Sequence, residues 1–261
     1  MLLQDKKAVI YGGGGAVGGV VARAFAREGA EVFLAGRTLA TLDKVANEIT
    51  ALGGVAETAQ VDALDEAAVE KHVAVVAEKA GRIDILFNAI GMQDVQGKPL
   101  IEMSLEDFTR PITIATRTQF LTARTVARRM IQQGAGVILT ITAGPARRAF
   151  SNVGGFDVAC TAIEGLWRTF AAELGSYGIR LVIIGSAGSP DTPDVQETLK
   201  LHAKATGKSL EEVLAASGSS TLLGRLPSVI EVANAATLMA SDYASAMTGV
   251  IANVTCGYIV D

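Results

Sequence analysis

Seven residues, Gly12-Gly13-Gly14-Gly15-Ala16-Val17-Gly18, constrain this chain more than any others. They follow a short apolar run ending Val9-Ile10-Tyr11 and precede helical periodicity over 17–27, so they sit at a strand-to-helix turn. Glycines there permit a tight turn with positive φ and let main-chain N–H groups approach a ligand without Cβ collisions. The helix that follows presents its positive amino end to the same point. Together these features predict a pyrophosphate cradle, with Gly12, Gly14, Gly15, Ala16, Val17 and Gly18 as its contacts. A merely flexible loop is the alternative, and the flanking elements argue against it.

The rest of the chain repeats the same grammar. Strands are expected at 31–35, 55–61, 83–87, 137–141, 179–184 and 249–254. Helices are expected at 39–52, 66–79, 105–131 (with Pro111 near its start), 155–176 and 231–239. Short strands alternating with longer helices form the βαβ pattern of a parallel sheet, here seven-stranded, doubly wound and covered by helices on both faces. Ligands in such α/β folds collect beyond the carboxyl ends of the strands. Between the sixth strand and the final helix the pattern changes, giving two short helices near 195–205 and 210–216. The 188–221 segment is read as a substrate lid, with a surface insertion as the alternative. No second-domain boundary interrupts residues 1–261.

Composition narrows the function classes. With 23 Lys plus Arg against 27 Asp plus Glu, the chain lacks the basic footprint of a nucleic-acid binder. Cys160 and Cys256 have neither disulfide-framework nor metal-ligand spacing, so no metal site is expected. No apolar run reaches the roughly 18 residues of a membrane span. The amino end has no signal-peptide pattern, and cytoplasmic residence is the expectation.

The second strand ends Ala35-Gly36-Arg37. An acidic residue there would accept from an unmodified adenosine ribose, whereas Gly36 leaves room and Arg37 supplies a cation for a 2′-phosphate. NADP is favoured, with NAD as the other possibility. Asp62, after the third strand, is positioned either to accept from the adenine amino group or to cap its own turn.

With Asn88-Ala89-Ile90-Gly91, Asp62 and the glycine turn, the chain resembles the short-chain dehydrogenase/reductase family over nearly its whole length. Further matches are Gly165-Leu166, Tyr177-Gly178-Ile179-Arg180, Gly224-Arg225-Leu226-Pro227 and Thr248-Gly249. The resemblance implies a Rossmann-type fold. It also implies that Asn88 ties together groups near the cofactor, that Gly91 lets its loop pass close by, and that the two long helices pair copies into a homodimer or homotetramer. Ala16 departs from the family's middle glycine, and Ser186-Ala187 stands where the family carries Pro-Gly.

The family's reaction uses an asparagine, a serine, a tyrosine acid/base and a lysine. Motif spacing places these on Ala115, Ala143, Phe156 and Cys160, none of which supplies the group. No Tyr-x-x-x-Lys occurs anywhere in the chain. Phe156 has no proton to give to a developing alkoxide, and Ala143 has no donor for its charge. Thr142, Asp157 and Cys160 are the remaining catalytic candidates, with Arg147 and Arg148 as anion contacts and His202 as a lid residue. The reading is an NADP-dependent oxidoreductase-like protein with an atypical active site, acting on an activated C=C or carbonyl small molecule. Its alternatives are a catalytically silent nucleotide-binding regulator or scaffold, and a non-redox enzyme reusing the pocket.

Overall fold

A computed structural model describes residues 1–144 and 150–260. Seven strands run in the order β3-β2-β1-β4-β5-β6-β7, and every adjacent pair is parallel. They are β1 (Lys7–Tyr11), β2 (Glu31–Gly36), β3 (Val55–Gln60), β4 (Ile85–Asn88), β5 (Gly136–Ala143), β6 (Ile179–Ser186) and β7 (Val250–Val254). The helices between them are α1 (Ala16–Arg27), α2 (Leu39–Ala51), α3 (Glu66–Ala80), α4 (Leu105–Gln133), α5 (Phe156–Leu174), α6 (Pro193–Thr206), α7 (Leu210–Ser219) and α8 (Val229–Ala240). This is the doubly wound, Rossmann-type arrangement, and its winding reverses between β1 and β4.

Alternation along each strand divides the interior into two layers. Ala8 and Ile10 of β1 join a cluster with Val21 and Phe25 of α1, Val45 of α2 and Val232 of α8. Val9 and Tyr11 face the other way, onto Val73 of α3, Val126 of α4 and Ile163 of α5. Both faces of β1 are therefore buried, which is why its sequence reads as a continuous apolar run.

Side-chain caps set several helix starts. Ser104 Oγ accepts from the Asp107 amide at the head of α4, and Ser228 and Glu231 form a reciprocal capping box at α8. Pro111 lies inside α4, two turns from its start, and is buried. Pro193 opens α6 as its first residue, where its missing N–H costs nothing. No helix among the described residues is long and apolar enough to cross a membrane.

Candidate functional site

A cavity of about 700 Å³ opens over the carboxyl ends of the strands and extends from β2 and β3 to the α6–α7 segment. The β1–α1 turn forms its floor. Gly12 takes φ +75°, and a Cβ added there would lie 2.4 Å from the Ala89 carbonyl oxygen. Gly18 is packed beneath the turn, where a Cβ would meet the Gly12 oxygen at 2.2 Å. Only glycine lets β1, the turn and the β4 exit approach this closely. Gly15 is the N-cap of α1 and makes no side-chain cap. The first-turn amides therefore lack both an intrahelical acceptor and a capping side chain, which suits them to an anion. Gly12, Gly14, Gly15, Ala16 and Val17 all line the cavity; Gly18 supports them from below.

At the β2 and β3 end the wall carries Gly36, Arg37 and Asp62. The Gln93 amide oxygen, turned toward Arg37, accepts from its two terminal guanidinium nitrogens at 3.0 and 3.2 Å. Gln93 lies in the loop after β4 and adopts φ +56°. Asp62 Oδ1 accepts from the Leu64 amide at 3.0 Å, an Asx turn within its own loop, while the residue still borders the cavity.

Beneath the centre of the cleft lies a buried polar network. Asn88 Nδ2 donates to Thr122 Oγ1 at 2.7 Å, and Asn88 Oδ1 accepts from the Ile90 amide at 3.3 Å. Thr140 Oγ1 donates to the Asn88 carbonyl at 3.2 Å and accepts from Gln119 Nε2 at 2.9 Å. Asn88 thus fastens β4 to α4, and Gln119 fastens α4 to β5. Gly91 has open space where a Cβ would stand and borders the cavity.

Next to this network, Tyr11 Oη and His72 Nδ1 are 2.9 Å apart. Burial pushes the Tyr11 phenol well above its ordinary range and the His72 imidazole down to about 4, so both are neutral near pH 7. The two neutral groups share one hydrogen bond, whose direction follows the His72 tautomer.

The far end of the cavity is mostly apolar. Ile141, Ala143 and Phe156 line it, and Tyr258 stacks on Phe150 with ring centroids 5.7 Å apart. Helices α6 and α7 form the outer wall through Val195, Leu199, His202 and Val213. His202 Nε2 lies 3.0 Å from Gln96 Oε1, joining α6 to the loop after β4, and burial lowers the imidazole pKa.

Three catalytic candidates do not reach the cavity wall. Thr142 is buried on the side of β5 opposite Ile141 and Ala143. Cys160 is fully buried, and burial pushes its thiol up to about 12, opposed only by a hydrogen bond from the Ala143 backbone. Asp157 is half-buried in the first turn of α5, with its pKa raised by burial, and does not line the cavity. Ala115 is also buried away from the wall. Arg147 and Arg148 lie outside the described residues. Sequence reasoning passed over Gln93, Gln96, Gln119 and Tyr258, all of which border the cavity. No group of three His, Cys, Asp or Glu among the described residues is arranged to hold a metal.

Residues 14–259 match the family model described as enoyl-(acyl carrier protein) reductase. The chain belongs to the short-chain dehydrogenase/reductase superfamily. Among its relatives, levodione reductase of Leifsonia aquatica is 31% identical over 256 residues, covering 97% of this chain and 94% of that protein. An uncharacterized oxidoreductase of Bacillus subtilis (strain 168), YxbG, is 31% identical over 247 residues, covering 95% and 88%. The solved structure of NAD+-bound xylitol dehydrogenase superimposes with a TM-score of 0.94 at 26% identity, covering 98% of this chain and all of that one. These similarities support a general oxidoreductase function and a nicotinamide-dinucleotide site of the NAD(P) kind in this superfamily member.

Proposed function

We propose that this chain is an NADP-dependent oxidoreductase with an atypical active site, whose preferred acceptor is an activated carbon–carbon double bond in a small molecule. The observation that carries the reading is the pairing of a glycine cradle and an Arg37-bearing wall with a reacting end built from Ile141, Ala143 and Phe156. The cofactor supplies the hydride. The chain's own groups do the rest.

First-turn amides of α1 hold the pyrophosphate. Arg37 takes a 2′-phosphate, and Gly36 places no carboxylate against it. At the reacting end, reduction of a simple ketone would build charge on one oxygen beside Ile141, Ala143 and Phe156, none of which can donate to it. A conjugated double bond spreads that charge over several atoms and asks less of the wall. The 188–221 segment acts as a lid over this single domain, held by the His202–Gln96 contact. Copies of the chain pair through α4 and α5, where the half-exposed Phe120 stacks on Phe170 beneath Arg124. Light scattering on the purified protein reads the resulting mass.

The test of function is NADPH binding followed by NADPH oxidation across matched ketones and α,β-unsaturated carbonyl compounds. Oxidation with the unsaturated set and little with the ketones is expected. Tight NADPH binding with no oxidation by either set would replace this reading with a silent nucleotide-binding protein. A substrate transformed without cofactor consumption would replace it with non-redox chemistry.

A further inference from the structure

Gln119 carries an unexplained atom. The residue is 3% exposed, its side chain borders the cavity, and its Oε1 has no hydrogen-bond partner. A tether between α4 and β5 explains Nε2, which donates to Thr140 Oγ1 at 2.9 Å, but it explains neither Oε1 nor the approach to the cavity. An amide oxygen enclosed without a donor forfeits its hydration with nothing to replace it. An enclosed acceptor without a donor, in a residue that lines a cavity, points to a ligand that donates to it as the side chain seats against it.

We propose that Gln119 Oε1 accepts from a hydroxyl of the cofactor's second ribose, the one on the nicotinamide side. This rests on the NADP reading above, and sheet order supplies the placement. Arg37 and Asp62 stand over the ends of β2 and β3, and the glycine turn stands over β1. A dinucleotide with its adenosine half on the first pair and its pyrophosphate on the turn must send its other half toward β4 and β5.

Gln119 is pinned at that seam, because Thr140 and Asn88 are register partners across β4 and β5 and are hydrogen-bonded to each other. Chemistry selects the group. Oε1 only accepts, so phosphate oxygens and carbonyls are excluded, and the first donors beyond the pyrophosphate are the sugar hydroxyls. Gln119 is a positioning residue, since it touches the sugar and not the reacting carbon.

The experiment compares three ligands by calorimetry on the intact protein and on Gln119→Met, which keeps the side-chain length and removes the amide. NADPH and 2′-phospho-ADP-ribose both contain the second ribose; adenosine 2′,5′-bisphosphate lacks it. The substitution is expected to weaken the first two by about tenfold and to leave the bisphosphate within about twofold, which also shows that the variant is folded. Gln119→Glu keeps an acceptor oxygen at the same reach and is expected to recover part of the loss.

Equal weakening of all three ligands, or no weakening of any, overturns the assignment. Should Gln119→Met fail to fold, Gln119→Leu takes its place with the same three ligands: weakening of NADPH and 2′-phospho-ADP-ribose with the bisphosphate unchanged supports the assignment, and equal weakening or none overturns it. If the parent protein binds none of the three, the NADP reading itself falls, an outcome distinct from failure of the Gln119 assignment.

Discussion

Acid should weaken this protein through one buried histidine. His72 lies in α3 against Tyr11, the last residue of β1, with the rings edge to face and centroids 5.4 Å apart. Burial holds its pKa at about 4, against 6.5 for an exposed imidazole. Between those values the unfolded chain binds a proton that the folded chain refuses, so stability rises with pH across the window. The contribution is complete above pH 6.5 and is lost as pH falls toward 4. About 2.5 units at 1.36 kcal/mol each gives about 3 kcal/mol.

Urea unfolding at pH 7 and pH 4 measures the loss in the parent and in His72→Gln, whose amide offers the Tyr11 hydroxyl both a donor and an acceptor but does not titrate. Carboxylates contribute to both proteins alike, so the difference between the two losses isolates His72. An equal loss in the variant would refute the argument, because the acid sensitivity would then arise elsewhere.

Three further outcomes follow from the same geometry. Arg37→Ser should weaken NADPH binding by roughly 10- to 100-fold and leave NADH unchanged, as expected for loss of a charge-assisted phosphate contact; fluorescence titration with both cofactors reads it, and equal loss for both would contradict it. Gly18→Ala places a methyl group 2.2 Å from the Gly12 oxygen, so it should cost roughly 1–3 kcal/mol in urea and abolish NADPH binding, whereas an unchanged cofactor affinity would show that the turn is not the cradle. Cys160, fully buried and with its thiol pushed up to about 12, should stay silent to a disulfide reagent at pH 8 while the half-exposed Cys256 reacts; both should appear in denaturant, and two fast thiols in the native protein would contradict the burial.

Much of the fold was legible because its determinants are local. The run Lys7–Tyr11, the glycine turn and the periodicity of α1 occur side by side, so their order alone implies the strand, turn and helix that the structure contains. Element ends were less legible. The helix expected over 155–176 stops at Leu174 and continues as a single 3₁₀ turn to Tyr177, because Gly178 takes φ +73° there and leads into β6. The helix near 195–205 starts two residues earlier at Pro193, since proline is well suited to a first helical position.

Within the site, position in a motif proved a poor guide to direction. Thr142 adjoins Ala143 in sequence, but a strand alternates, so only one of the two can face the cavity. Phe156 and Cys160 share a face of α5, yet the short thiol ends against the Ala143 backbone while the phenyl ring reaches the wall. Gln119 was invisible for the opposite reason. It belongs to no motif, and its meaning depends on Thr140 of another element.

Positions 156 and 160, at the proposed reacting end, are better understood together than singly. A phenol introduced at position 156 would border the cavity without an ammonium at position 160 to lower its pKa. An ammonium introduced at position 160 would replace a side chain that is fully buried, where desolvation disfavours the charged form unless a partner is present. Under the proposed reading each of these groups needs the other in place. What does not depend on that pair is the apparatus proposed to hold a dinucleotide: the Gly12 and Gly18 contacts, Arg37, and the Asn88–Thr140–Gln119 network. That network ties β4, α4 and β5 into one unit without using position 156 or 160. The cradle can thus stay rigid while the chemistry beside it changes, which makes an altered acceptor a more economical account of this cavity than a decaying one.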